Sequence, residues 1–405
     1  MPKHVSSRFR PTTVVSLVYA STAVVWGAYS LLIVALPFRF QALGLSLVQY
    51  SVAIAIFAFG MLLTESVWGV LAFRIGNLRT VLALGVVVGV IYLAIGFSST
   101  FLTLAISLGL LGAMAIFPVP LFRWMAMIAG GPGTGGAGTG RYGLFFGGGM
   151  AVGSALGPLL YVDFGFQSLT YVVVVTYAVG LALMAWLPWH ETRLPRAEPG
   201  SFSQVRRVLT APFVFVAVLV VLSFLAYTLI TSYLQIYSVS TFHGTPAASG
   251  YVIGVARATI LLAGFLLGGV ADRFGPLRTV PFGFLLLTLG ALGTLFSASY
   301  AEMVAATIVF AVGFGWLSAS LLPLALGPVP VPLQGTAVGV FGSFEDLGLL
   351  VGPVLIGAVY ATYGARPMFL VVGVVALVAA LLAVLLRYVG RKGAPFPGLE
   401  GPTQN

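Results

Sequence analysis

The chain has no cysteine among its 405 residues, which removes disulfides, thiolate metal ligands and thiol nucleophiles from its chemistry. Charged residues are few: 19 basic and 9 acidic side chains make 7% of the sequence, against about a quarter in soluble domains. The three histidines, His4, His190 and His243, sit in expected tails or loops, too scattered to share a metal. No nucleophile stands near a base, so neither an enzyme nor a bound cofactor is expected. What fills the chain instead is apolar: 60% of it is hydrophobic, more than one water-soluble globule can hide.

The apolar residues fall in runs of about 20, the length that carries a helix across a hydrocarbon core of about 30 Å. Their polarity does not alternate, which argues against a closed barrel. Twelve runs are expected as membrane spans: 12–36, 48–71, 80–98, 101–125, 142–162 and 168–188, then 212–238, 249–270, 279–297, 303–325, 336–359 and 367–388. A polar stretch, His190–Thr210, separates six from six. The expected architecture is an all-α membrane protein of twelve spans in two pseudo-symmetric halves, residues 1–189 and 211–390, joined by a loop over 190–210 and followed by a tail over 391–405.

A net charge of +10 raises the question of nucleic acid, and the placement of the basic residues answers it. With a cytoplasmic N-terminus, sixteen fall on the inner side; only Arg39 and Arg366 fall outside, and Arg257 lies within a span. That is the positive-inside pattern of a bilayer protein with both termini in the cytoplasm, not a nucleic-acid binder. The first apolar run lacks a small-residue cleavage pattern, so it is expected to stay as span 1.

The string GGVADRFGPLRT, Gly268–Thr279, has a twin, GVLAFRIGNLRT, Gly69–Thr80, lying 199 positions earlier. Gly69, Arg74, Gly76 and Arg79 recur as Gly268, Arg273, Gly275 and Arg278, while Phe73 stands opposite Asp272. Self-similarity at nearly half the chain length points to duplication of one large unit. Each copy ends a span at the inner surface: the glycines permit a tight turn and the arginines hold it at the charged face.

These strings resemble the signature loop between helices 2 and 3 of the major facilitator superfamily, roughly G-x-L-a-D-r-x-G-r-r. The resemblance implies a secondary transporter that works by alternating access, with its solute held mid-membrane between the halves. It also implies a gating role for Gly69, Arg74, Gly76, Arg79, Gly268, Asp272, Arg273, Gly275 and Arg278. With Phe73 in place of the acid, the lock the resemblance implies is either weakened or supplied by another acid, with Glu65 the nearest candidate; the alternative for Glu65 is a static salt bridge to Arg123.

A second echo, Gly153-Ser-Ala-Leu-Gly157-Pro158 against Gly348-Leu-Leu-Val-Gly352-Pro353, clears one face of spans 5 and 11 for close helix approach. In the family these spans, with 2 and 8, form the seam between halves, so the two strings are expected to pack half against half. The helix 5 string also resembles the front of the G-x-x-x-G-P motif of proton-coupled drug exporters. The run Gly130–Gly140 contains G-x-G-x-x-G, yet lacks the strand and helix a dinucleotide site needs, and is expected as a flexible connector.

Ionisable groups inside membrane spans are costly and mark function. They are Glu65, Arg257, Glu345 and Asp346. Glu345 or Asp346 is expected to carry a coupling proton, with Arg257 as counter-ion or as anchor for an anionic solute. In the family, helices 1, 4, 7 and 10 line the cavity, which makes Tyr19, Thr22, Trp26, Tyr227, Thr231, Phe310, Phe314 and Trp316 the expected wall. The reading is a monomeric inner-membrane carrier in the lipid bilayer, expected to exchange a small organic solute for protons, with outward direction implied by the resemblance. Its alternatives are an organic-anion carrier built on Arg257 and a receptor or lipid translocase of the same fold.

Overall fold

The computed structural model describes residues 11–75, 77–115, 135–186, 202–330 and 333–391. Among them the chain is helical throughout: α1 (Pro11–Ala42), α2 (Leu47–Ile75), α3 (Asn77–Phe97), α4 (Phe101–Ala115), α5 (Gly135–Ala185) and α6 (Phe202–Val208). There follow α7 (Ala211–Thr228), a π-helical turn (Leu229–Tyr233), α8 (Leu234–Phe242), α9 (Pro246–Phe274), α10 (Pro276–Phe296), α11 (Tyr300–Leu326), α12 (Gln334–Tyr363) and α13 (Ala365–Arg391). Ten described segments are long and apolar enough to cross a membrane, and Phe101–Met114 is a shorter apolar helix. The protein is a multi-pass membrane protein.

The segments match the expected runs in order. α5 holds two of them, because Gly165 (φ 78°, ψ 169°) breaks its helical path, and α7, the π turn and α8 together make the seventh. Most helices run a few residues beyond the apolar runs, since an established helix adds a hydrogen bond for each residue it extends. For the same reason Gly135–Gly140 is helical and not the flexible connector its composition suggested. Part of the expected loop over 190–210 is likewise helical, as α6.

We call the end of the bundle reached at residues 42–47, 165, 243 and 364 distal, and the other end proximal. Distal helix starts carry local caps, as wetted ends require. Ser46 and Gln49 cap α2 reciprocally, with the Ser46 amide on Oε1 of Gln49 at 2.8 Å and the Gln49 amide on the Ser46 hydroxyl at 3.3 Å. At α11 the Glu302 amide donates to the Ser299 hydroxyl at 3.2 Å, and the Glu302 carboxylate accepts from the Ala298 amide at 2.7 Å.

Buried side chains gather in two main clusters. One is built chiefly from α1 to α5, around Leu36, Tyr92, Ile95, Leu108 and Leu169. The other is built chiefly from α7 to α13, around Phe213, Val220, Phe284, Leu317 and Phe369. Apolar rows such as Val86 with Val90, and Phe282 with Leu285 and Leu289, stay exposed on the perimeter, as a lipid-facing surface should.

The small-residue strings correct one expectation. A Cβ on Gly153 would strike the Gly27 carbonyl, and one on Gly157 the Leu31 carbonyl, both in α1. A Cβ on Gly348 or Gly352 would strike Val221 or Thr228 in α7. These four glycines therefore pack α5 on α1 and α12 on α7 inside each half, not half against half. The cause is steric: backbones this close leave no room for a side chain. Contact between the halves falls instead to Gly250 and Gly254 of α9, whose Cβ positions lie 2.9 Å from the Ser154 carbonyl and 3.0 Å from the Ala151 carbonyl. Pro158 does sit on that seam, with its ring 2.9 Å from the same point at Gly250.

Candidate site between the two helix clusters

α1 turns one face toward α5 and the middle of the bundle. Tyr19 is buried and stacks on Phe145 at 5.0 Å. Thr22 is fully buried and returns its hydroxyl to the Val18 carbonyl at 2.7 Å. One turn on, Trp26 meets Phe146 edge-to-face at 4.7 Å and Tyr29 at 5.4 Å, and Tyr29 lies 6.1 Å from Phe57 of α2. On the facing cluster Tyr227 stacks flat on Phe314 at 4.3 Å, with Phe224 5.4 Å from the same ring. Thr231, in the π turn, bonds weakly back to its own helix at 3.4 Å.

Arg257 of α9 is 4% exposed. Its Nη1 donates to the hydroxyl of Ser154 at 2.7 Å and to that of Ser30. The two hydroxyls are 2.8 Å apart, and each is also placed to donate to the Met150 carbonyl, at 2.8 Å from Ser30 and 2.7 Å from Ser154. The serine protons thus go to one carbonyl while the serine lone pairs face the guanidinium. A charge from α9 is held by hydroxyls of α1 and α5, which is how a buried cation avoids an uncompensated desolvation cost. Asp346 of α12 is 6% exposed, and its charge, that of Arg257 and the phenol of Tyr227 all act on Tyr29. These four side chains from α1, α7, α9 and α12 share one region.

A family model described as the Major Facilitator Superfamily matches residues 18–345 and, separately, 216–403. The chain belongs to the major facilitator superfamily. The MFS-type transporter Rv1250 of Mycobacterium tuberculosis, itself uncharacterised, is 33% identical over 140 residues, which is 32% of this chain and 24% of that one. The chain thus aligns with about a quarter of that relative's length. The multidrug resistance protein MdtG of Serratia proteamaculans is 24% identical over 330 residues, 78% of each chain. Among solved structures, a bacterial homologue of the human lysosomal transporter Spinster, inward-facing and unoccupied, superposes with a TM-score of 0.77 at 14% identity, covering 96% of this chain and all of that one. The likeness to the last is one of fold.

Within this superfamily fold, two expected wall residues lie elsewhere. Phe310 is 2% exposed, and its backbone and Cβ fill the space where Gly290 of α10 lacks a side chain, so it is core. Trp316 lies 6.4 Å from Phe282, on the lipid-facing row of α10. Both sit on the faces of α11 that pack toward α10, because the helical register turns Phe314 and not these two inward. Tyr227 and Phe314 do meet, Trp26 packs on Phe146 and Tyr29, and Arg257 reaches Ser30, one turn beyond Trp26 on α1. Glu345 is partly exposed beside the buried Asp346, and successive side chains on a helix point about 100° apart. The side chains of Glu65, Arg74 and Asp272, the Cα environment of Gly69, and Gly76 altogether lie outside the described residues. Gly275 has φ 84° between α9 and α10, the positive angle a tight turn needs, and Arg273 and Arg278 are exposed beside it, as is Arg79 in the first copy. A Cβ on Gly268 would lie 3.7 Å from the Ala319 side chain of α11.

Sequence reasoning did not single out Tyr29, Ser30, Ser154, Ser51 or Tyr233. Tyr29 continues the row Trp26, Thr22, Tyr19 by one turn, a signal that was available. Hydroxyls are common in membrane helices, and only the register between helices selects the ones that meet a charge.

Proposed function

We propose that the chain is a secondary carrier that moves a small organic solute across the cytoplasmic membrane by alternating access, outward and in exchange for protons. The observation that carries this reading is the pairing of two buried ionisable side chains, Arg257 and Asp346, with aromatic rings from both helix clusters. Buried charge in a bilayer protein is costly and is retained where solute or protons are handled. Rings on two opposed walls suit the flat faces of an organic molecule. The intimate α1–α5 and α7–α12 contacts make each half stiff, so the halves move as bodies about the α5–α9 and α2–α12 seams.

In this reading Asp346 takes up and releases the coupling proton and Glu345 assists it. Glu65 and the twin strings, Gly69 to Arg79 and Gly268 to Arg278, form the proximal gate, which faces the cytoplasm together with both termini. Residues 1–189 and 211–390 are the moving bundles, and the carrier acts as a monomer. The name of MdtG supports the outward direction. Reconstituted protein tests it: with an inside-out pH gradient imposed, proteoliposomes should move an organic cation such as ethidium or a small aromatic acid, and solute addition should move protons in return. Protein that moves no solute under any gradient overturns the reading.

A further inference from the structure

Arg39 is out of keeping with its place. It and Arg366 are the two basic side chains that the positive-inside pattern leaves away from the inner surface, and the second half has Ser238 at the corresponding position, 199 residues on. The guanidinium stands at the distal end of α1 and is held by two neighbouring elements. Nη2 donates to the Ser98 carbonyl at 2.9 Å, just past the end of α3, and Cζ lies 5.0 Å over the ring of Phe166, the first residue after the Gly165 break in α5. These contacts orient the charge without neutralising it. No carboxylate of the described residues pairs with Arg39; Asp163, the acid nearest Phe166 in sequence, is exposed in the other arm of α5. Nη1 is the donor left over: it makes no hydrogen bond among the described residues and, unlike Nε, is not buried. A guanidinium fixed at the membrane boundary with a free donor favours a phosphate or carboxylate beside it.

Next to this charge runs an apolar shelf. Leu93, Gly96 and Phe97 of α3 and Gln167, Thr170 and Tyr171 of α5 line a shallow crevice, within about 9 Å of the distal helix ends. Its floor is closed, because a Cβ on Gly96 would strike Thr170, and the Thr170 hydroxyl turns back to the Phe166 carbonyl at 2.8 Å. Its walls are rings: Phe97 and Tyr171 are 59% and 50% exposed and meet edge-to-face at 6.3 Å. Ser98 follows Phe97 and Phe166 precedes Gln167, so the two anchors of Arg39 adjoin the head of the crevice on both helices.

We propose that Arg39 and this crevice bind one anionic phospholipid of the distal leaflet, its phosphate on Nη1 of Arg39 and one acyl chain along the crevice past Phe97 and Tyr171. Depth and charge select this occupant. The shelf begins at the helix ends, where headgroups give way to hydrocarbon, and an unpaired cation at that level favours net-negative phosphatidylglycerol over zwitterionic phosphatidylethanolamine. The same stretch of α1 carries Pro37, Phe40 and Gln41, which line the small distal cavity between the halves. A lipid on Arg39 therefore steadies the turn on which the closed distal seam rests. The site faces the bilayer and does not depend on which solute the protein moves.

The absence of cysteine makes the test local. Ser168, exposed one residue beyond Gln167, can be changed to Cys and given a single bimane label in the full chain, reconstituted in phosphatidylcholine nanodiscs. Phosphatidylglycerol carrying a nitroxide on its acyl chain should quench the label along a saturable curve. Nitroxide phosphatidylethanolamine should quench only in proportion to its amount. Arg39→Gln should raise the half-saturating fraction about fivefold, as loss of one charge contact at a membrane surface implies, and Arg39→Lys should stay close to the parent. Gln167→Trp, which fills the crevice and leaves Arg39 in place, should remove the saturable part. If Arg39 only caps α3, Arg39→Gln lowers the thermal midpoint and leaves the quenching curve unchanged, and that result overturns the proposal. So do equal curves for the two lipids, a Gln167→Trp curve identical to the parent, or full competition by glycerol phosphate, which would make the site one for a free anion.

Discussion

Tyr233 and Ser51 stand in different helix clusters and meet oxygen to oxygen at 2.6 Å, while the same phenol donates to the Pro353 carbonyl at 2.7 Å. Gly357 makes room for the junction, since a Cβ there would strike the Ser51 hydroxyl. The π turn Leu229–Tyr233 ends on this phenol. Such turns insert a residue and re-aim the side chains that follow, and they recur at functional sites. Together with Arg257 on Ser30 and Ser154, the junction ties the distal parts of the halves by two polar contacts.

Tyr233→Phe removes the phenol oxygen, and with it the contact to Ser51 and the bond to the Pro353 carbonyl, while the Ser51 hydroxyl keeps the Leu47 carbonyl at 2.7 Å, at a cost of about 0.5–1.5 kcal/mol. Of the two contacts only the one to Ser51 crosses between the halves, and its loss weakens the closed seam, so the distal side should open more often. A cysteine placed at Tyr360 in the Tyr233→Phe background should react with a water-soluble thiol reagent about tenfold faster than in the parent, as about 1.4 kcal/mol implies. An unchanged rate would show that the phenol does not hold the seam.

Asp346→Asn keeps the shape of the side chain and removes its proton chemistry. An outward carrier that takes protons in exchange runs faster as the outside becomes more acid, because the carboxylate loads there and unloads in the less acid cytoplasm. The expected outcome is a solute flux that no longer rises as external pH falls, with solute exchange at equal pH retained. Glu345→Gln, at the more exposed neighbouring position, should keep most of the pH response. The opposite pattern would move the proton role to Glu345.

The intimate helix pairs are testable by adding single methyl groups. Gly153→Ala and Gly348→Ala each force a Cβ into a carbonyl of α1 or α7, and overpacking of this kind costs about 1–3 kcal/mol. Both variants should lower the thermal midpoint of the purified protein. Gly148→Ala and Gly339→Ala, where no atom lies within 4 Å of the new Cβ, should leave it unchanged or raise it slightly through lower chain entropy. Equal midpoints for the two groups would contradict the close approach.

What the sequence made legible follows from what a bilayer demands. Hydrocarbon tolerates almost no charge, so twelve runs and their polar joints stand out, and Arg257 and Asp346 stand out against them for the same reason. Gly153 and Gly352 were legible as close-contact residues, but their partner was not. The choice between a neighbour in the same half and one across the seam depends on how helices rotate and register, which spacing along one helix does not encode. Phe310 and Phe314 illustrate the same limit, being one turn apart and equally apolar, with Phe310 in core against Gly290 and Phe314 under Tyr227. Ser30 and Ser154 gain their meaning only from the guanidinium brought to them by a third helix.

Two turns preserve the duplication in backbone form. Gly165, between the arms of α5, has φ 78° and ψ 169°, and Gly364, between α12 and α13, has φ 86° and ψ −173°. They lie 199 positions apart, the spacing of the twin strings. This corner of backbone space is open to glycine almost alone, and another residue there costs about 1–3 kcal/mol. No atom lies within 4 Å of a Cβ at either position, so strain and not crowding sets the cost. Gly165→Ala and Gly364→Ala should each lower the thermal midpoint by a similar amount, and the double variant should lose the sum, since sites this far apart do not couple. A loss at one position and none at the other would mean that only one half depends on its reverse turn, against the equivalence the two angles imply.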